Sequence, residues 1–268
     1  MNTLVIDPFC GMAGDMFCAA LMDLGAEKQS TSSVMRRAAE VLGGGQITVR
    51  SETRFGTKGT MLSCEYPAQA PSTESAQLKQ TLHDVCVEFG IGGAYREYAL
   101  RAYSVLEQAE QAAHEKIERH PHPQHHHHHV HLHEAQDIIV DIAGSVWALQ
   151  ELEVAVRQVS CLAPVATGGG EVRFSHGTFA VPAPAVAEII SRYRIPVHPG
   201  PFQSELLTPT GAALLAAFSP NFTERDRQEP PSGIKPLVGV GFGNKRFPRQ
   251  AGKRANALYL FLWAGAND

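Results

Sequence analysis

The spacing of apolar and polar positions divides the chain into short strands and amphipathic helices. Residues 3–7 form an apolar run that predicts a buried strand, and residues 15–24 repeat apolar positions with helical spacing. Glycines at positions 11 and 14 lie between the two runs, which predicts a strand, a turn and a helix in succession. Helical spacing also predicts helices over residues 33–42, 74–89, 94–118, 134–156, 183–193 and 209–218.

Short apolar runs between these helices predict a sheet. Strands are expected over residues 46–55, 60–66, 159–165, 237–242 and 257–263, with a hairpin over residues 172–181. Helices and strands therefore alternate, which predicts an α+β or α/β body with a mixed sheet, packed helices and an exposed His-rich loop. The predicted units are an N-terminal strand and helix unit (1–66), a helical segment (67–119), a His-rich metal-binding loop (120–133) and the remainder of the body (134–268).

Composition excludes several classes of protein. The 268 residues are 44% hydrophobic and 19% charged, which is typical of a globular chain. A formal net charge of −4 provides no broad basic surface, so no nucleic-acid partner is expected. Residues 1–24 contain Asp7, Asp15 and Asp23 and lack a basic segment, which argues against a signal peptide and a membrane span. The five cysteines form no C-x-x-C pair, so we expect reduced thiols in a cytoplasmic protein.

A histidine tract is the strongest chemical signal in the sequence. Residues 120–134 hold nine of the 13 histidines, including the run His125, His126, His127, His128 and His129. Imidazole is a ligand for zinc, copper, iron and nickel, and several weak ligands on one segment allow a metal ion to exchange between them. The tract therefore predicts metal binding. The alternative is a low-complexity tract that binds metal only incidentally.

A second set of metal ligands follows the tract. His131 and His133 alternate with apolar residues and would share one side of an extended segment. His133, Asp137 and Asp141 are spaced i, i+4 and i+8, so on a helix they would share one face that accepts zinc, nickel or manganese. Glu134 follows His133 as in the metal-binding helix of zinc hydrolases. The alternative is that these acids cap or pair within the fold.

The turn at residues 7–16 is a candidate for anion binding and catalysis. Asp7 lies at the end of the predicted strand, Cys10 in the turn and Asp15 at the start of the helix. Backbone amides around Gly11 and Gly14, together with the helix dipole, favour a phosphate, while a carboxylate could hold a cation or activate water. The alternative is that Asp15 is an N-cap and that the glycines only permit the turn.

Two later segments contain further candidate ligands. Thr208 precedes a predicted helix that begins with proline, so it is either an N-cap or, with Thr210 and Gly211, a phosphate-binding group. His176 lies in the predicted hairpin, where a histidine is usually an ordinary hydrogen-bonding residue unless a metal site lies nearby.

Together these segments resemble the LarC family of nickel insertion proteins, and the resemblance covers most of the chain. It is carried by D-P-F-C-G-M-A-G-D-M at residues 7–16, the His-rich tract, V-H-L-H-E at 130–134, D-I-I-V-D-I at 137–142, H-G at 176–177, V-P-A-P at 181–184 and residues 205–211. This chain has Cys10 where family members usually have serine. The resemblance also implies a short form, since longer members carry a C-terminal domain associated with manganese and CTP.

The resemblance implies a metal chelatase-type lyase that inserts nickel. The implied substrate is pyridinium-3,5-bisthiocarboxylic acid mononucleotide, and the implied product is the nickel-pincer nucleotide cofactor of lactate racemase. The implied cofactors are Ni²⁺ and CTP with Mg²⁺ or Mn²⁺. The implied partners are a separate protein that supplies the C-terminal domain and a lactate racemase-like acceptor.

Within that resemblance, the sequence suggests a role for each segment. We expect residues 7–15 and 208–211 to hold the phosphate, and His131, His133, Asp137 and His176 to present nickel. Glu134 is the first candidate for the base that removes the ring proton. Two alternatives remain open, namely a nickel storage or delivery protein without catalysis and a metal-dependent hydrolase.

Overall fold

The computed structural model describes residues 1–67, 75–118, 135–174, 177–225, 235–243 and 255–265. The strands in these ranges are β1 (Thr3–Asp7), β2 (Gln46–Arg54), β3 (Thr57–Glu65), β4 (Ser160–Ala163), β5 (Val165–Ala166), β6 (Glu171–Phe174), β7 (Gly177–Ala180), β8 (Val197–His198), β9 (Asn221–Glu224), β10 (Leu237–Phe242) and β11 (Ala257–Trp263). The helices are α1 (Gly14–Leu24), α2 (Lys28–Val41), α3 (Ser75–Glu88), α4 (Gly93–Glu118), α5 (Ala135–Glu151), α6 (Pro184–Tyr193) and α7 (Pro209–Phe218). The predicted His-rich loop lies outside these ranges.

A mixed sheet of seven strands forms the centre of the fold. Its strand order is β2, β3, β10, β11, β1, β4 and β9. The N-terminal strand β1 is interior, since it pairs with β11 in antiparallel and with β4 in parallel orientation. Strand β10 is parallel to β3 and antiparallel to β11. The predicted mixed sheet with packed helices is confirmed, and the fold is of the α/β type.

Helix α1 lies directly on the sheet because two glycines of β10 face it. A Cβ atom at Gly239 would lie 2.5 Å from Cγ of Leu24, and one at Gly241 would lie 2.7 Å from the backbone nitrogen of Ala20. Real Cβ atoms do not approach other atoms this closely, so glycine is required at both positions. Almost every residue of α1 is buried, which fixes the start of the helix relative to the sheet.

The other helices pack around α1 and against one another. Helix α5 contacts both α1 and α2, and α4 contacts α5, α6 and α7. The fully buried ring of Tyr98 on α4 stacks on Phe218 of α7 at 4.2 Å, and its hydroxyl donates a hydrogen bond to the Leu214 carbonyl oxygen at 2.8 Å. These contacts fix the position of α4 relative to α7. Both helices contribute residues to the candidate site.

Some element boundaries differ from the prediction for local reasons. Helix α2 begins at Lys28, earlier than the predicted residue 33, because the Glu27 carboxylate accepts hydrogen bonds from the amides of Gln29 and Ser30. The strand predicted over residues 159–165 is divided into β4 and β5 by Pro164. Strand β9 was not predicted, since Phe222 is its only strongly apolar residue and its pairing with β4 defines it.

All five cysteines are free thiols. None of the helices in the described ranges is long and apolar enough to cross a bilayer.

Candidate functional site

The N-terminal turns of α1, α5, α6 and α7 open onto one cavity of about 770 Å³. Helix α4, the β6–β7 hairpin and the end of β3 provide further walls. A cavity of this size accommodates a small-molecule ligand. Polar and charged lining residues include Asp15, Cys64, Glu110, His114, Asp137, Asp141, Arg173, Thr208, Thr210 and Asn256.

Backbone pairing holds the starts of α1 and α7 side by side. The Met12 amide donates to the Leu206 carbonyl at 3.0 Å, and the Thr208 amide donates to the Met12 carbonyl at 3.1 Å. Gly11 adopts a φ of +81° and lies against the backbone of Leu206, while Gly211 lies against Met12. A side chain at either glycine would force the two segments apart. Gly11 and Gly211 therefore allow the starts of α1 and α7, which line the cavity, to lie side by side.

The helix ends differ in how their amide groups are satisfied. At α1, the Asp15 amide donates a hydrogen bond to the Asp141 carboxylate. At α7, Thr208 Oγ1 accepts a hydrogen bond from the Gly211 amide at 3.2 Å, so the capping interpretation of Thr208 is confirmed. At α6, the N-cap Ala183 makes no side-chain cap. With Arg173 in the same cavity, the α6 and α7 ends favour an anionic group.

A thiol and two carboxylates meet at another part of the cavity. Cys64 at the end of β3 and Asp137 and Asp141 on α5 each offer a ligand atom, and these atoms lie within 4.8 Å of one another. Asp141 is only 2% exposed, and its Oδ1 has no hydrogen-bond partner among the described residues. Gly14 makes room for this side chain, because a Cβ atom there would lie 2.8 Å from Cβ and Cγ of Asp141.

The three groups disfavour one another's negative charge. Burial raises the pKa of Asp141 well above its ordinary value, and the charges of Asp137 and Asp15 raise it further. Burial also raises the pKa of the Cys64 thiol, with Asp141 as the next cause, although the nearby Tyr66 hydroxyl acts in the opposite direction. The surroundings of Asp141 and Cys64 therefore favour the neutral forms of these two groups.

Comparison with known proteins identifies the chain. The family model described as nickel insertion protein matches residues 4–267. The chain belongs to the nickel insertion protein family. Relatives from Methanococcoides burtonii, Thermomicrobium roseum and Methanothrix thermoacetophila, provisionally named nickel insertion proteins, are 31%, 32% and 34% identical over 91%, 98% and 91% of this chain. The chain spans 56%, 58% and 56% of their respective lengths. No solved structure matches it.

In this member of the nickel insertion family, several predicted site residues meet at the cavity. Gly14, Asp15, Asp137, Thr208 and Thr210 all line it. Their segments are far apart in sequence and are brought together by the packing of α1, α5 and α7. The predicted residues that lie outside the described ranges are His125, His126, His127, His128, His129, His131, His133, Glu134 and His176.

Two candidate catalytic residues of the first turn lie away from the cavity lining. Asp7 Oδ1 accepts hydrogen bonds from Arg225 Nη2 at 2.6 Å and from the Phe9 amide at 3.1 Å. Cys10 is 3% exposed, and its thiol lies 3.5 Å from the Ala255 carbonyl oxygen. Neither is among the described residues that line the cavity. Their visible contacts stabilise the strand end and the turn.

Sequence reasoning did not select Cys64 or Glu110, which both line the cavity. Cys64 belongs to a strand with no metal-binding pattern around it, and Glu110 lies in a long helix rich in glutamate and glutamine. Burial raises the pKa of Glu110 to about 7. His114 lies one helical turn further on and lines the cavity as well.

Replacing Glu110 with glutamine should change how stability depends on pH. The folded-state pKa of about 7 is above the ordinary value of 4.5, so this carboxyl costs stability as the pH rises through that interval. Allowing for partial exposure, Glu110→Gln should be about 1–2 kcal/mol more stable than the parent at pH 8 and equal to it near pH 4. Urea unfolding at both pH values measures the difference. The control is Glu115→Gln, an exposed position on the same helix; an equal pH profile for both variants would contradict the expectation.

Proposed function

We propose that the protein inserts nickel into a pyridinium-3,5-bisthiocarboxylic acid mononucleotide, forming a nickel-pincer nucleotide. The cavity carries this proposal, because in a nickel insertion family member it combines anion-favouring helix ends with a thiol and carboxylates suited to a transition metal. Its volume of about 770 Å³ suits a mononucleotide.

The phosphate of the acceptor would lie at the α6 and α7 ends. Thr208 and Thr210 provide hydroxyl groups there, and Arg173 provides a positive charge from the hairpin. The start of α1 is less suited to a phosphate, because its dipole already faces the Asp141 carboxylate. Gly14 contributes by admitting Asp141 beside the helix start.

The insertion step replaces a ring proton with nickel. One carbon–hydrogen bond breaks as one carbon–nickel and two sulfur–nickel bonds form, and the proton passes to a base with no change in the oxidation state of Ni²⁺. Glu134 is the first candidate for that base. Glu110 is a second candidate, because it lines the cavity and its pKa of about 7 suits proton transfer near neutral pH. The histidine tract would load nickel, and CTP with Mg²⁺ or Mn²⁺ would be the co-reactant.

The test is a direct insertion assay. Nickel-loaded protein is mixed with the metal-free mononucleotide, with and without CTP and Mg²⁺ or Mn²⁺, and the product is followed by mass spectrometry. We expect nickel incorporation above a protein-free control. The comparison with and without CTP determines whether this chain needs the co-reactant by itself.

The histidine tract supports a second candidate function, nickel storage or delivery. Nine imidazole side chains in residues 120–134 would suffice for it without catalysis. A storage protein would bind several nickel ions weakly and leave the mononucleotide unchanged under every condition of the assay.

A further inference from the structure

Cys64, Asp137 and Asp141 have the arrangement of an incomplete metal coordination sphere. Their ligand atoms lie within 4.8 Å of one another. Ligand bonds of about 2.0–2.3 Å place the ligand atoms around one ion about 3–4 Å apart, so small side-chain rotations would suffice. We propose that these three residues form a Ni²⁺ site inside the cavity, from which the metal passes to the acceptor. The transfer part of this proposal rests on the proposed function.

The Asp141 carboxylate provides evidence for a bound cation that does not depend on the spacing of the three ligand atoms. Its Oδ2 lies against Gly14, where the first turn of α1 holds the carboxylate through the Asp15 amide. Its Oδ1 has no hydrogen-bond partner among the described residues, although the residue is only 2% exposed. A buried oxygen without a partner costs free energy, and a bound cation would remove that cost.

The three ligand groups come from different parts of the fold and meet at one point of the cavity. Cys64 lies at the end of β3, and Asp137 and Asp141 lie on one face of α5. A divalent ion between them would offset the repulsion between their charged forms.

The ligand types indicate which metals the site accepts. A thiolate favours transition metals such as nickel, cobalt and zinc over magnesium and calcium. Three protein ligands leave coordination positions open, and two sulfur atoms of an acceptor in the same cavity could occupy them. Nickel would therefore move from the imidazoles of the tract to a mixed sulfur and oxygen set, and then to the sulfurs of the acceptor.

Nickel titration of the full chain tests the site separately from the tract. In a variant with all nine histidines of residues 120–134 replaced by serine, we expect one Ni²⁺ per chain and a thiolate-to-nickel charge-transfer band. Cys64→Ser in that background should abolish the band and weaken Ni²⁺ binding at least about tenfold. Asp137→Asn should retain the band but weaken binding. Cys86→Ser, a buried thiol on α3 outside the described cavity lining, is the matched control and should retain both.

The outcomes separate this proposal from the proposed function. A parent protein without the band, or a band that survives Cys64→Ser, overturns the site. If Cys64→Ser loses the band but inserts nickel at the parental rate, the site binds nickel but does not pass it to the acceptor. The transfer part of the proposal is then overturned. If the parent shows the band but inserts no nickel with or without CTP, the site is supported and insertion by this chain fails. Thermal unfolding of each variant shows whether it is folded. If Cys64→Ser is unfolded, nickel binding by Asp137→Asn tests the site instead.

Discussion

The Gly211→Ala variant is expected to unfold with a free energy about 3 kcal/mol lower than the parent, a loss at the upper end for single substitutions. A Cβ atom at this position would lie 2.6 Å from the Met12 carbonyl carbon and 3.0 Å from Cα of Ala13. Both neighbours are backbone atoms and cannot move aside as a flexible side chain would. The start of α7 must then separate from the turn before α1. Urea unfolding measures the loss.

Gly92→Ala is the matched control for this substitution. Gly92 precedes α4, and the nearest atom to a Cβ atom there is Gln150 Oε1 at 3.9 Å, an ordinary contact. Its free energy of unfolding should change by no more than about 0.5 kcal/mol. Equal stabilities for the two variants would show that the contact between the start of α7 and the turn before α1 is not rigid.

Asp141→Asn is expected to lower the rate of nickel insertion about 100-fold, the size of effect seen when a metal site loses an orienting group. The amide has the same shape as the carboxylate, and its oxygen can still accept the hydrogen bond from the Asp15 amide. It lacks the negative charge that would hold Ni²⁺ beside Cys64 and Asp137. Single-turnover insertion with excess nickel measures the effect.

The control for Asp141→Asn is the same substitution at Asp23 of α1. Asp23 accepts hydrogen bonds from the Val240 amide at 2.9 Å and the Thr60 hydroxyl at 2.8 Å, and it is absent from the described cavity lining. This variant should insert nickel at the parental rate. If Asp141→Asn also inserts nickel at the parental rate, Asp141 takes no part in the reaction.

The sequence was sufficient to predict elements with an uninterrupted apolar pattern. Strands β1, β10 and β11 and helix α7 have the predicted bounds, because each is an apolar run delimited by polar residues, proline or glycine. The strand order was beyond sequence reasoning. The C-terminal strands β10 and β11 lie between β3 and β1. No local sequence pattern predicts pairing between strands that are so far apart in the chain.

The same distinction applies to the candidate site. Asp137 and Asp141 could be selected because their separation of four residues on one helix determines that they share a face. Cys64 and Glu110 could not, since only the packing of β3 and α4 brings them to the cavity. Asp7 shows the opposite case. Its ion pair with Arg225 joins residues far apart in sequence, so the strand-end acid was predicted to be catalytic without knowledge of its partner.

The cavity lining extends from Ala13 to Asn256, so both halves of the chain contribute to it. A molecule bound there contacts segments from both halves of the chain, and it binds the folded state alone. Such an occupant stabilises the chain in proportion to the logarithm of its concentration. The supply of such a molecule would therefore also govern how long each copy of the protein resists proteolysis.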